Sequence, residues 1–223
     1  RFSRSVFFEA MLTGRALREE SFGEEVFVKF MELCTGRDLA WQPVKKKGDV
    51  ELFEQNDAKG HHLIKGVLEL NGSARNVAIV LEDVAACTRW DKDCVGAYEI
   101  ERYSERFSAF YIAYKSGLFR ADNIDFVLAQ VTREFTDGTI CIINRSIPLG
   151  DELVPEKKSF KRCHMETGGW MVEIIGQAAQ NRIRITSIQE VIYSDKAEKR
   201  SQDAIKSRKA ALLGLKEFLT NQA

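Results

Sequence analysis

The chain has 223 residues, 44% of them hydrophobic, which suits one domain with a large core. Lysine plus arginine and aspartate plus glutamate number 33 each, so the formal net charge is zero. That balance argues against a nucleic-acid partner, because affinity there comes mainly from neutralised phosphates.

Residues 1–35 read as two helices. Ser21 and Glu24 form a capping box, after which Val26, Phe27, Phe30, Met31, Leu33 and Cys34 recur at helical spacing. Strand-like pieces follow over 40–46, 49–55 and 62–70, the last alternating Ile64, Leu68 and Leu70 against Lys65 and Glu69. Ser73 then caps a helix with Val77, Val80, Leu81, Val84 and Ala85 on one stripe, ending near Trp90-Asp91. Four strands are predicted next, at 94–103, 107–115, 125–135 and 139–146, with Asp137-Gly138 as a hairpin turn. Residues 149–158, preceded by Pro148 and containing Pro155, read as a loop, and Gly168-Gly169 reads as a turn. Two more strands, 170–176 and 182–192, precede a helix over 199–219 with Ala204, Ile205, Ala211, Leu212, Leu215, Phe218 and Leu219 on one face. The pattern predicts an α+β fold: a long antiparallel sheet, interrupted once by a helix and closed by the C-terminal helix.

No catalytic or metal pattern emerges. His61 and His62 are neighbours on a strand and point to opposite faces, and Cys163-His164 has the same geometry. The cysteines (Cys34, Cys87, Cys94, Cys141, Cys163) are odd in number and lack a CxxC pair, so they read as reduced thiols in a cytosolic domain. Apolar runs such as 77–81 are far shorter than the roughly 20 residues of a membrane span. The chain begins at Arg1 rather than methionine and is read as a piece of a longer protein.

Several strings point to a family. Leu39-Ala40-Trp41 precedes Lys47-Gly48-Asp49-Val50-Glu51-Leu52-Phe53. Trp90-Asp91 follows the interrupting helix, Asp125-Phe126-Val127 opens a strand, and Asp137-Gly138 closes the next hairpin. In this order they resemble the START family, the steroidogenic-acute-regulatory-related lipid-transfer domains, over about 41–219. One departure is Ile124, where the family carries arginine. The resemblance implies a helix-grip fold, a curved antiparallel sheet wrapped around a long C-terminal helix, with 1–35 as N-terminal helices of the domain and 36–223 as its lipid-binding body. It implies a carrier without covalent chemistry or cofactor. The carrier would enclose one lipid, a phospholipid in preference to a sterol, and exchange it at a membrane surface from the cytoplasm. The alternative is a lipid sensor within a longer parent chain that supplies further domains; a helix-grip enzyme is a third reading.

By the same resemblance three strand faces point into the cavity: Phe107, Ala109, Tyr111 and Ala113; Phe126, Leu128, Gln130 and Thr132; Thr139, Cys141, Ile143 and Arg145. The expected lipid-binding residues are therefore Tyr111, Phe126, Leu128, Gln130, Cys141, Ile143 and Arg145, joined by Arg208 and Leu212 from the final helix. Tyr111 and Gln130 stand where relatives carry a charged pair, and either meet the lipid or bond each other. Arg145 is the expected phosphate ligand or else a surface residue; Arg208 reaches a headgroup or extends to solvent. Leu118, Phe119 and Arg120 form a membrane-contact gate or fold back as a plug.

Overall fold

The computed structural model describes residues 24–36, 41–44, 48–56, 61–115, 123–148, 150–176, 181–191 and 197–222. The elements are α1 (Glu24–Thr35), β1 (Gln42–Val44), β2 (Val50–Asn56), β3 (His62–Asn71), α2 (Ala74–Glu82) and α3 (Cys87–Trp90). They continue with β4 (Cys94–Ser104), β5 (Phe107–Tyr114), β6 (Asn123–Glu134), β7 (Ile140–Ser146), α4 (Gly150–Leu153), β8 (Phe160–Arg162), β9 (Gly168–Ile174), β10 (Arg182–Val191) and α5 (Ala197–Thr220).

The strands form a ten-stranded sheet in the order β1-β2-β3-β10-β9-β7-β6-β5-β4, with β8 pairing parallel to β6. All other pairings are antiparallel. At one end of that order β1 is three residues long and contains Pro43; at the other, β4 has three register shifts against β5. The β6–β7 hairpin turns on Asp137, whose carboxylate accepts from the Thr139 amide at 2.9 Å, and on Gly138 at φ +82°. Glycine is needed again at Gly169 (φ +138°), where a Cβ would overlap the Ile142 carbonyl of the neighbouring strand. Gly168 and Gly169 thus open β9 rather than forming a separate turn, and β8 occupies part of a stretch with no strand signal.

Two apolar layers cover the sheet. On the outer face, Val26, Phe27, Phe30 and Leu33 of α1 pack on Val127, Val131, Ile143 and Met171. On the inner face, α2 and α5 pack on Leu68, Phe126, Leu128, Ile142, Val172 and Ile185. Ser73 caps α2 as its sequence predicts, accepting from the Asn76 amide at 3.4 Å. The helix then stops at Glu82 instead of running to Trp90: Asp83 leaves helical geometry and caps a 3-10 turn, Val84–Ala86, before α3. Leu212 and Leu215 of α5 are fully buried. Two glycines let α5 come close: Leu212 fills the space above Gly66, and Gly214 rests on the Trp90 carbonyl.

Candidate functional site

The inner face carries a cleft between sheet and helices. Its floor is Phe110 and Ile112 of β5, Phe126, Leu128 and Gln130 of β6, and Asn144 of β7; its walls include Trp90, Trp170, Gln189 and Arg208. Register explains the grouping. Ser108 pairs with Gln130, Gln130 with Asn144, Asn144 with Gly168, and Gly168 with Gln189, so one row crosses five strands and is polar at every position but Gly168. Apolar rows lie on either side: Phe110 with Leu128, then Ile112 with Phe126; and Ile142 with Trp170.

Polar groups inside an apolar layer are costly unless bonded. Gln130 Nε2 donates to the Glu82 carbonyl at 3.4 Å, and an Arg208 Nη2 donates to Gln189 Oε1. Arg208 also lies over the Trp170 ring, 5.4 Å from its centroid, and Trp90 meets Trp170 edge-on at 6.0 Å. Asn144 Oδ1, Trp90 Nε1 and Arg208 Nε are buried without a partner among the described residues. Asp91, beside Trp90, is buried. Burial pushes its carboxyl above the ordinary range, while backbone amides and the Arg208 charge pull the other way.

Phe126, Leu128, Gln130 and Arg208 therefore line one cleft, and Leu212 buries against Gly66 in the same layer. The expectations for Tyr111, Cys141, Ile143 and Arg145 as cavity residues are corrected. Tyr111 pairs with Val127, Ile143 with Val131 and Cys141 with Arg133, on the opposite face of the sheet. Tyr111, Cys141 and Ile143 are buried in the outer layer, with the Cys141 thiol against Met31 of α1. Tyr111 stacks on Tyr98 with Lys157 over its ring, and burial together with the nearby Asp125 carboxylate pushes its phenol up to about 12. Arg145 is 41% exposed and lies 3.8 Å from Glu166. On β5 all but the last residue are buried, so no polar alternation distinguishes its two faces in the sequence. Leu118, Phe119 and Arg120 lie outside the described residues.

Ile124 leaves Asp125 without an adjacent arginine, and Arg162 of β8 fills that role from across the parallel pair. Its Nε sits 2.9 Å from Asp125 Oδ1, and its Nη2 also donates to the Val154 carbonyl. The histidines meet carboxylates away from the cleft: His61 with Glu190, His62 with Glu54, His164 with Glu166. Burial pushes Cys34 up and Cys141 up to about 12, the opposite of nucleophile activation. Cys94 is lowered through its contact with Cys87, yet it is buried, and the groups acting on it are Cys87, the Gly96 backbone and Asp91, with no histidine. Among the described residues no three His, Cys, Asp or Glu are grouped to hold a metal, and no helix is long and apolar enough to cross a membrane.

The space left in the cleft is about 60 Å³. A larger groove of about 690 Å³ lies on the outer face, but it is open and lined by charges that include Lys65, Glu69, Glu173, Arg182 and Arg184. Arg182 and Arg184 both bond Glu69 there, and Lys65 donates to the Cys34 carbonyl at the end of α1. Such a groove suits ions and water rather than acyl chains.

No protein-family model and no curated protein matches the sequence. Solved structures do match the fold. Human StAR-related lipid transfer protein 5 aligns with a TM-score of 0.74 at 18% identity, covering 88% of this chain and 94% of that one. Human STARD10 gives 0.73 at 17%, covering 93% and 84%. A STAR-related lipid transfer protein fragment from Xanthomonas axonopodis gives 0.68 at 17%, covering 81% and 98%. The antiparallel sheet, the interrupting helix and the C-terminal helix across the inner face together give this chain the helix-grip fold of a START domain.

Proposed function

We propose that the cleft holds a single lipid and that the domain moves it between membranes without chemical change. The observation that carries this reading is the inner cleft itself: apolar rows on both sides of one polar row, roofed by a helix. The START-like fold supports it, since human StAR-related lipid transfer protein 5, which shares that fold, is named for lipid transfer. A lipid crosses water slowly because each exposed CH₂ costs about 0.8 kcal/mol, and an apolar cleft removes most of that barrier. A phospholipid is favoured over a sterol because the row offers several hydrogen-bonding groups where a sterol has one hydroxyl.

At about 60 Å³ the cleft is too small for a lipid, and in this reading it is the closed form. Ligand pockets occupy roughly 300–1,000 Å³, so loading requires α5 to lift from the sheet. The contacts to be broken are Leu212 on Gly66, Gly214 on Trp90, Arg208 with Gln189, and Lys216 with Asp49. The domain then exposes apolar surface, and membrane contact from the cytoplasm is where that exposure is tolerated.

The test is native mass spectrometry after incubation with mixed vesicles, alongside transfer of a fluorescent phospholipid between donor and acceptor vesicles. The wild type is expected to carry one lipid per chain, and Leu128→Trp, which fills the cleft, is expected to carry none. A wild-type protein that emerges empty and transfers nothing overturns the reading.

A further inference from the structure

We propose that the ligand's polar head is an anion, a phosphate or carboxylate, bound by Arg208 and Trp90 at the polar row; this rests on the cleft being a lipid site.

Arg208 is a permanent cation facing the cleft. Its hydrogen-bond partner, Gln189, is neutral, and its Nε–H has no acceptor among the described residues. A guanidinium in such surroundings whose hydrogen-bond acceptor is neutral and whose Nε–H is unused gains from an anion within bonding reach. Trp90, only 6% exposed, supplies a second unused N–H, and both groups border the same Trp170 ring. Two orphan donors with a positive charge at one of them match the oxygens of a phosphate or carboxylate. The unused Asn144 Oδ1, in the same row as Gln189, accepts from a hydroxyl or protonated oxygen of the same head. The Asp91 carboxyl also feels the Arg208 charge, but its oxygens accept from the Asp93 and Cys94 backbone amides, and no hydrogen bond joins it to the guanidinium among the described residues. The apolar rows through Leu128 and through Ile142 leave room for chains once α5 lifts.

The experiment presents the whole chain with matched pairs differing only in the head: phosphatidate against diacylglycerol of the same chains, and oleate against oleyl alcohol. After re-isolation, bound species are counted by native mass spectrometry. Wild type is expected to retain the anionic member of at least one pair about tenfold over its neutral partner. The pair that shows the preference identifies phosphate or carboxylate as the head. Arg208→Gln is expected to lose the preference while still carrying the neutral lipid, and Arg208→Lys to keep part of it. Equal retention within both pairs, or an Arg208→Gln protein with its preference intact, overturns the anion site and leaves the lipid cleft standing. If neither member of any pair is retained by wild type, the lipid reading and the anion site fall together.

Discussion

Leu212 of α5 occupies the space that a side chain on Gly66 of β3 would fill. The helix therefore meets the sheet where β3 is thinnest, and its second close approach is Gly214 against the Trp90 carbonyl. The two contacts differ in what must give way.

A Cβ at position 66 meets the end of a flexible leucine, which can rotate aside. Gly66→Ala is expected to cost less than about 1 kcal/mol. A Cβ at position 214 meets backbone and forces α5 outward, so Gly214→Ala is expected to cost about 1–3 kcal/mol despite alanine's better helix propensity. Urea unfolding of the pair measures the difference; equal midpoints contradict it.

Arg162→Met leaves Asp125, 1% exposed, without its charged partner. Breaking one side of a buried pair costs about 3–5 kcal/mol, and a similar loss is expected here in chemical denaturation. A loss under about 1 kcal/mol denies the pair a structural role.

Asp91 sets a pH dependence. Its folded pKa is raised by burial, so the ionised form is disfavoured in the native state. The resulting destabilisation is full above the folded pKa and vanishes below the unfolded value near 4. Asp91→Asn keeps an acceptor for the Asp93 amide and is expected to be more stable than wild type at pH 7, with the gap closing as pH falls through the carboxylate range. Thermal midpoints at several pH values test the sign.

Arg145→Ala is expected to leave lipid retention unchanged, since Arg145 lies on the outer face beside Glu166. Asn144→Leu on the inner face removes an unsatisfied buried oxygen. It is expected to raise stability by about 1 kcal/mol while reducing discrimination between head groups. Paired native mass spectrometry and denaturation curves separate the two substitutions.

The element order was legible because most strands are bounded by turn residues and α5 has a clear apolar face. Cleft residues were legible on β6 and, through Arg208, on α5, but not on the other strands. On β5 and β7 both faces are buried, so hydrophobicity has no alternation to reveal which side is inner. The hairpin held the missing information: a turn centred on Asp137 pairs residues equidistant from it, such as Gln130 with Asn144. With Phe126, Leu128 and Gln130 inward, Ile142 and Asn144 must be inward too, and Cys141, Ile143 and Arg145 cannot be. Gln189 and the Arg208 contact depend on pairing between strands distant in sequence, which no local pattern encodes.

The two strands that end the sheet differ from the rest in a way that bears on crowding. Pro43 removes one backbone donor from a strand of three residues, and the irregularities in β4 break up its line of peptide groups. Neither border of the described sheet presents a straight hydrogen-bonding template, so copies of the chain are kept from zippering onto one another strand by strand.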